Sequence, residues 1–160
     1  MLMTMVDTKV INNLTDSSSQ SCYVCGAKPS QMNKLGICQK LSIREENLKY
    51  GISPLHFKIK CLEICLKISY KLQYQKTSLR GATAQEKKEV EDRKTRVQKK
   101  LWEELGIKVD MVVQGTGTSN TGNTARRFLK DPKKSAKATG VDEKFIERLG
   151  TINEVCVNET

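Results

Sequence analysis

The chain is poor in aromatic residues, which fill only 5% of its 160 positions, and it holds a single histidine, a single tryptophan and three prolines. Aromatic side chains supply much of the buried area of a core, so with a hydrophobic fraction of 38% the sequence is lean for a self-sufficient one. No apolar run reaches the ~18 residues of a membrane-spanning helix, and no membrane span is expected. The opening Met1-Leu2-Met3-Thr4-Met5-Val6-Asp7 turns acidic too early for a secretory signal. Cysteines stand only at 22, 25, 38, 61, 65 and 156, too few for a disulfide scaffold of this length. Cys61 and Cys65 lie four apart on a helical pattern, as buried thiols do. A reducing compartment fits this usage, leaving the sequons at Asn13 and Asn158 silent and making a CxxC pair a metal or redox element. Histidine acid–base chemistry would have to use His56, whose place between apolar residues beside a helix start predicts a packed side chain. There is no Ser-His-Asp arrangement, no cluster of paired carboxylates and no internal repeat.

What the chain has in excess is positive charge: 28 Lys and Arg against 18 Asp and Glu, a net +10. That balance favours polyanionic partners, nucleic acid first and acidic membrane second. The alternative is a solvated basic surface, since the charge is spread out and forms no long basic tail.

Taken in order, residues 1–12 read as a short apolar strand or helix start around Met5-Val6, carrying Asp7. A Ser-rich loop spans 13–21, weak helices are expected over Ser30–Ile37 and Ser42–Leu48, and Gly51-Ile52-Ser53-Pro54 closes this region. The strongest element runs from Pro54 to about Gln75, with Ser53 as N-cap and Pro54 at the first helical position. Its apolar lines are Leu55, Ile59, Leu62, Leu66, Tyr70 and Phe57, Cys61, Cys65, Ile68, Leu72, a face wider than a coiled-coil seam. Thr83-x-x-Glu86 is a capping-box signature for a helix ending at Leu105 before Gly106, with Val90, Val97, Leu101, Trp102 and Leu105 as its seam. Its Lys87, Lys88, Arg93, Lys94, Arg96, Lys99 and Lys100 form either a solvated face or a DNA-tracking surface. Residues 107–113 are expected to be extended, Ala125–Lys130 helical, a further helix to run from Asp131-Pro132 to near Gly140, and a last one from Asp142 to Leu149 with Gly150 as its stop. The organisation is therefore 1–12, a knuckle and linker over 13–52, a helical domain over 53–150 and a tail over 151–160.

Chemistry concentrates at two places. Cys22-Tyr23-Val24-Cys25-Gly26 is a CxxC knuckle with a turn glycine behind it, and two thiolates at that spacing hold one face of a tetrahedral zinc ion that wants four ligands. The pair is closed internally by Cys38 and His56, completed by ligands from outside the chain, or unmetallated, and the second reading accounts best for the spacings. A thiol oxidoreductase role is disfavoured because no strand–motif–helix context surrounds the pair. Gln114 to Asn123 is a polar glycine loop with neither dinucleotide-binding nor P-loop spacing. It is a linker before a capped helix or a phosphate contact, and Arg126 and Arg127, whose planar forks match phosphate oxygens, favour the contact.

The order of these pieces resembles one family. Asp7 in an apolar segment, Cys22-x-x-Cys25, Pro54-Leu55-His56 opening an amphipathic helix, a basic helix ending Leu105-Gly106-Ile107-Lys108, and Thr121-Gly-Asn123-Thr-Ala-Arg126-Arg127 are similar to the zinc-binding insert of the V(D)J recombination-activating protein 1 and Transib-type transposase family, over about residues 5–150. The resemblance implies an RNase H-like parent that cuts and joins DNA with two divalent metals, Mg or Mn, on an Asp, Asp, Glu set. It places Asp7 at the second carboxylate, though nearer the knuckle than in the vertebrate protein. It implies a zinc half-site at Cys22 and Cys25 completed by two downstream histidines, and DNA contacts at Asn123, Arg126, Arg127 and Lys130. It also implies a nuclear location and a homodimeric parent. The first Asp, the final Glu and the two histidines have no counterpart here. The expectation is a mainly α fold, a helical zinc-binding insert with a short N-terminal strand, that contacts DNA and is catalytically incomplete alone. The runner-up is a non-enzymatic helical interaction module with no nucleic-acid role.

Overall fold

A computed structural model of the chain describes residues 8–18, 21–32, 34–51, 53–74, 79–113 and 117–158. These are mainly helical, with one two-stranded antiparallel hairpin. The chain forms two compact units, residues 1–54 with 156–160, and residues 55–155.

In the first unit, α1 (Thr8–Leu14) buries Ile11 and Asn12. Of residues 1–12, expected as a short strand or helix start, residues 8–12 are helical, and Met1–Asp7 lie outside the described residues. Two adjacent apolar residues, Val10 and Ile11, are too few to set a period of two against one of 3.6. The two short helices α2 (Pro29–Met32) and α3 (Leu35–Cys38) divide what reads as one segment, and Glu45–Tyr50 is a 3₁₀ helix.

The second unit is built on α4 (Pro54–Tyr70) and α5 (Ala84–Leu105). On α4 the buried positions are Cys61, Leu62, Cys65, Leu66, Ser69 and Tyr70, a stripe at 3.6-residue spacing. Leu55, Ile64, Ile68 and Leu72 stay largely exposed, so the buried face is narrower than the sequence predicts. The capping box at the start of α5 forms in full: the Glu86 N–H donates to Thr83 Oγ1 at 3.2 Å, and the Thr83 N–H donates to Glu86 Oε2 at 2.7 Å. Gly106 ends α5 in the left-handed conformation at φ 61°, which an L side chain reaches only with strain. Its seam holds Val97 and Leu101 but not Trp102. One residue turns the helix by ~100°, so with Leu101 fully buried, Trp102 is carried off the core and is 52% exposed.

Beyond α5, Ile107 and Val109 enter the core, and β1 (Val112–Val113) pairs with β2 (Gly117–Thr118) in the register Val112 to Thr118. Asp110 and Asn120 clasp the base of the hairpin. The Asp110 N–H donates to Asn120 Oδ1 at 2.9 Å, and Asn120 Nδ2 donates to Asp110 Oδ1 at 2.5 Å. The Tyr70 hydroxyl donates to Asp110 Oδ2 at 2.8 Å, tying the hairpin to α4. Burial, reinforced by that carboxylate, pushes the Tyr70 phenol well above the ordinary tyrosine range.

The helices α6 (Gly122–Lys130), α7 (Pro132–Thr139) and α8 (Glu143–Asn158) complete the unit. Thr121 caps α6 through the Thr124 N–H, starting it three residues before the expected Ala125. Asp131 caps α7 through the Lys134 N–H at 3.0 Å, and that bond, ahead of nearby lysines, holds its carboxyl below the usual range. Phe128 of α6 is fully buried and Ile146 of α8 packs in the same cluster. Gly150 does not stop α8, which runs on to Asn158 through the predicted tail. The stop signal loses because a glycine inside a helix costs only about 1 kcal/mol. A side chain at Gly150 would also meet the Leu129 carbonyl at 3.5 Å.

Candidate nucleic-acid interface and cysteine knuckle

The knuckle is a closed turn. The Cys22 N–H donates to the Ala27 carbonyl at 2.9 Å and the Gly26 N–H to the Cys22 carbonyl at 2.7 Å, with Gly26 at φ 70°. The segment 44–51 pins it from the side. The Arg44 N–H donates to the Val24 carbonyl at 2.8 Å and Asn47 Nδ2 to the Tyr23 carbonyl at 2.7 Å, while the Tyr23 hydroxyl donates to the Gly51 carbonyl. Burial, with the Cys22 thiol adding to it, raises the Tyr23 phenol above its ordinary value. Cys22 and Cys25 are both half-buried. They are two of the four donors a structural zinc ion takes, and among the described residues no group of three or more Cys, His, Asp or Glu gathers to hold a metal. Cys38 donates its S–H to the Gln31 carbonyl at 3.3 Å. His56, expected to be packed, is exposed in the first turn of α4. The knuckle therefore offers two cysteine thiols, half the donor count of a structural zinc site. Asp7, the expected carboxylate, lies outside the described residues.

Residues 122–140 carry six cations against the one acid Asp131. Asn123, Arg126 and Lys130 are exposed on α6, at spacings that put them on one helical stripe. Arg126 Nη2 stands 3.4 Å from Asn123 Oδ1, which holds the guanidinium over the first turn. Arg127 is used differently. Its Nη2 donates to the Leu105 carbonyl at 2.6 Å and its Nη1 to the Gly106 carbonyl at 3.3 Å. A cation on the carbonyls that end a helix satisfies orphan acceptors and the negative end of the dipole, so Arg127 is a structural clasp on α5.

A second basic site lies between α5 and α7. A cavity of about 280 Å³ is lined by Gln73, Arg93, Arg96, Lys100, Lys137 and the turn at Thr139-Gly140, among others, with no carboxylate among its described lining residues. Arg93 is committed to the fold: Nε donates to the Ser69 carbonyl at 2.5 Å and Nη2 to the Thr139 carbonyl at 3.2 Å. Lys137 pairs with Glu104 at 2.7 Å, and that carboxylate raises the ammonium above its usual value. Arg96 and Lys100 are exposed one helical turn apart. The sequence offers Arg96 and Lys100 only as part of a mixed-charge face; Lys137 joins them through the packing of α7 on α5, which no local pattern announces.

No protein-family model matches the chain, and no curated protein matches it.

Proposed function

We propose that the chain is a DNA-contacting helical module of transposase or recombinase type, gripping the sugar–phosphate backbone through the α5–α7 groove and the α6 stripe of Asn123, Arg126 and Lys130. The carrying observation is the groove lined by Arg93, Arg96, Lys100 and Lys137, with no carboxylate among its described lining residues and Glu104 beside it on Lys137. Multiple cations on a concave surface attract phosphates irrespective of base sequence. The order of motifs from the Cys22/Cys25 knuckle to Asn123-Thr-Ala-Arg126 supports the transposase type. In this reading strand cleavage and joining belong to the parent's metal-bearing carboxylates, of which Asp7 is the candidate contributed here. Cys22 and Cys25 contribute half of a zinc site, and the protein acts in the nucleus, with a homodimeric parent. A helical interaction module without nucleic-acid contacts is the second reading, favoured by the exposed apolar edge of Met111, Val112 and Val113.

Binding to a short DNA duplex, followed by fluorescence anisotropy across a salt series, tests the proposal. Affinity is expected to fall steeply with salt. Arg96→Ala with Lys100→Ala should reduce the slope of log K against log salt by about 2, one counterion per lost phosphate contact. Absence of any duplex binding at low salt sinks the reading.

A further inference from the structure

We propose that Trp102 is a base-stacking platform, which makes unpaired, single-stranded DNA a ligand of this interface; the inference rests on the DNA-contacting reading above. Trp102 is the only tryptophan of the chain and stands 52% exposed on α5, next to the fully buried Leu101. An indole left half in water gives up a large part of the free energy its burial would contribute. It forms the wall between two shallow cavities, of about 380 Å³ and about 270 Å³. The first is lined by Gln98, Lys99, Val109 and Met111 together with Trp102 and Lys108. The second again uses Trp102 and Lys108 and adds Asn123, Thr124 and Arg127 with the turn at Gly106. Among the described residues neither lining contains a carboxylate.

Lys108 stands 5.3 Å from the centre of the indole ring, and Lys99 pairs only loosely with Glu103, at 3.8 Å. An aromatic ring with lysines beside it is what a nucleotide strand needs. The base offers a π-face to the ring, and its flanking phosphates meet the ammonium groups. Asn123 places its side-chain amide at the rim of the second cavity, where a base edge or phosphate can accept a hydrogen bond. A paired duplex keeps its base faces stacked inside, so the platform selects unpaired strands. The charge of its surroundings favours a nucleic acid over an apolar protein partner.

Because Trp102 is the sole tryptophan, intrinsic fluorescence reads this site alone. The full chain is titrated at low salt with an oligothymidylate and, separately, with a blunt duplex of equal length, each also labelled for anisotropy. The single strand should quench the tryptophan emission. Trp102→Leu should weaken single-strand binding about tenfold while leaving duplex affinity and the far-ultraviolet circular dichroism unchanged, and Trp102→Phe should restore part of the loss. Single-strand binding without quenching, or unaffected by Trp102→Leu, overturns the inference and leaves the backbone reading standing. Failure to bind either DNA removes both. A tryptophan signal that changes with protein concentration alone, together with self-association in sedimentation velocity, makes Trp102 a protein contact and overturns the inference as well.

Discussion

Thr139 is the place where the second unit can be tested with least disturbance of shape. The residue is 1% exposed at the end of α7. Its hydroxyl donates to the Ser135 carbonyl at 2.6 Å and accepts from the Val141 N–H at 3.2 Å. Its carbonyl accepts from Ser69 Oγ at 2.6 Å and from Arg93. Thr139→Val keeps the volume and removes only the hydroxyl. The Val141 N–H is then left without its acceptor in a buried site, a penalty of about 1–3 kcal/mol, and a hydrogen bond worth about 1 kcal/mol is lost with it. The added methyl recovers roughly 1 kcal/mol of apolar burial. A net destabilisation of about 2 kcal/mol follows, which for a unit of about a hundred residues lowers Tm by roughly 8–16 °C. Thr139→Ser retains the hydroxyl and loses only a methyl, so its cost should stay near 1 kcal/mol. The assay is thermal unfolding followed at 222 nm. A Thr139→Val chain melting within about 2 °C of the parent, or less destabilised than Thr139→Ser, refutes the network as a source of stability.

Arg127→Ala should loosen the end of α5, seen as faster amide hydrogen exchange at Gly106 and Ile107. Arg126→Ala with Lys130→Ala should leave that exchange unchanged and flatten the salt dependence of DNA binding. Cys65, pushed up to about 12 by burial and then by neighbouring Cys61, and buried Cys61, raised by desolvation, should resist iodoacetamide at pH 8, where Cys22, Cys25 and Cys38 are alkylated. Folding holds the Cys65 thiol neutral above its ordinary 9.0, so its contribution to stability is complete below pH 9 and is lost as pH rises from there towards about 12. Tyr70, raised from 10.0, acts in the same direction. Urea midpoints that stay flat between pH 8 and 11 would contradict both assignments.

The elements most legible in the sequence are those bounded by local chemistry. Thr83 and Glu86 start α5, Gly106 stops it, and Asp131 with Pro132 starts α7, because caps act over three or four residues and need nothing from the rest of the chain. Gly150 shows where such signals fail: a helical glycine costs only about 1 kcal/mol, and α8 runs on past it. The buried stripe of α4 is largely legible, since Cys61, Leu62, Cys65, Leu66 and Tyr70 follow the helical period, whereas Ser69 takes the interior place expected of Ile68 and Leu72. That exchange depends on the Thr139 carbonyl receiving the Ser69 hydroxyl from far along the chain.

The candidate site divides in the same way. Composition determines that the chain is strongly basic, and spacing determines that Asn123, Arg126 and Lys130 share a stripe and that Cys22 and Cys25 share a turn. These follow from counts and from the fixed periods of helix and knuckle. Tertiary packing alone decided that Arg127 closes α5, that Lys137 meets Arg96 and Lys100 in one groove, and that Trp102 faces solvent between two cavities. Each of these depends on which helix lies against which and at what rotation, a global balance of buried area that no local stretch of residues encodes.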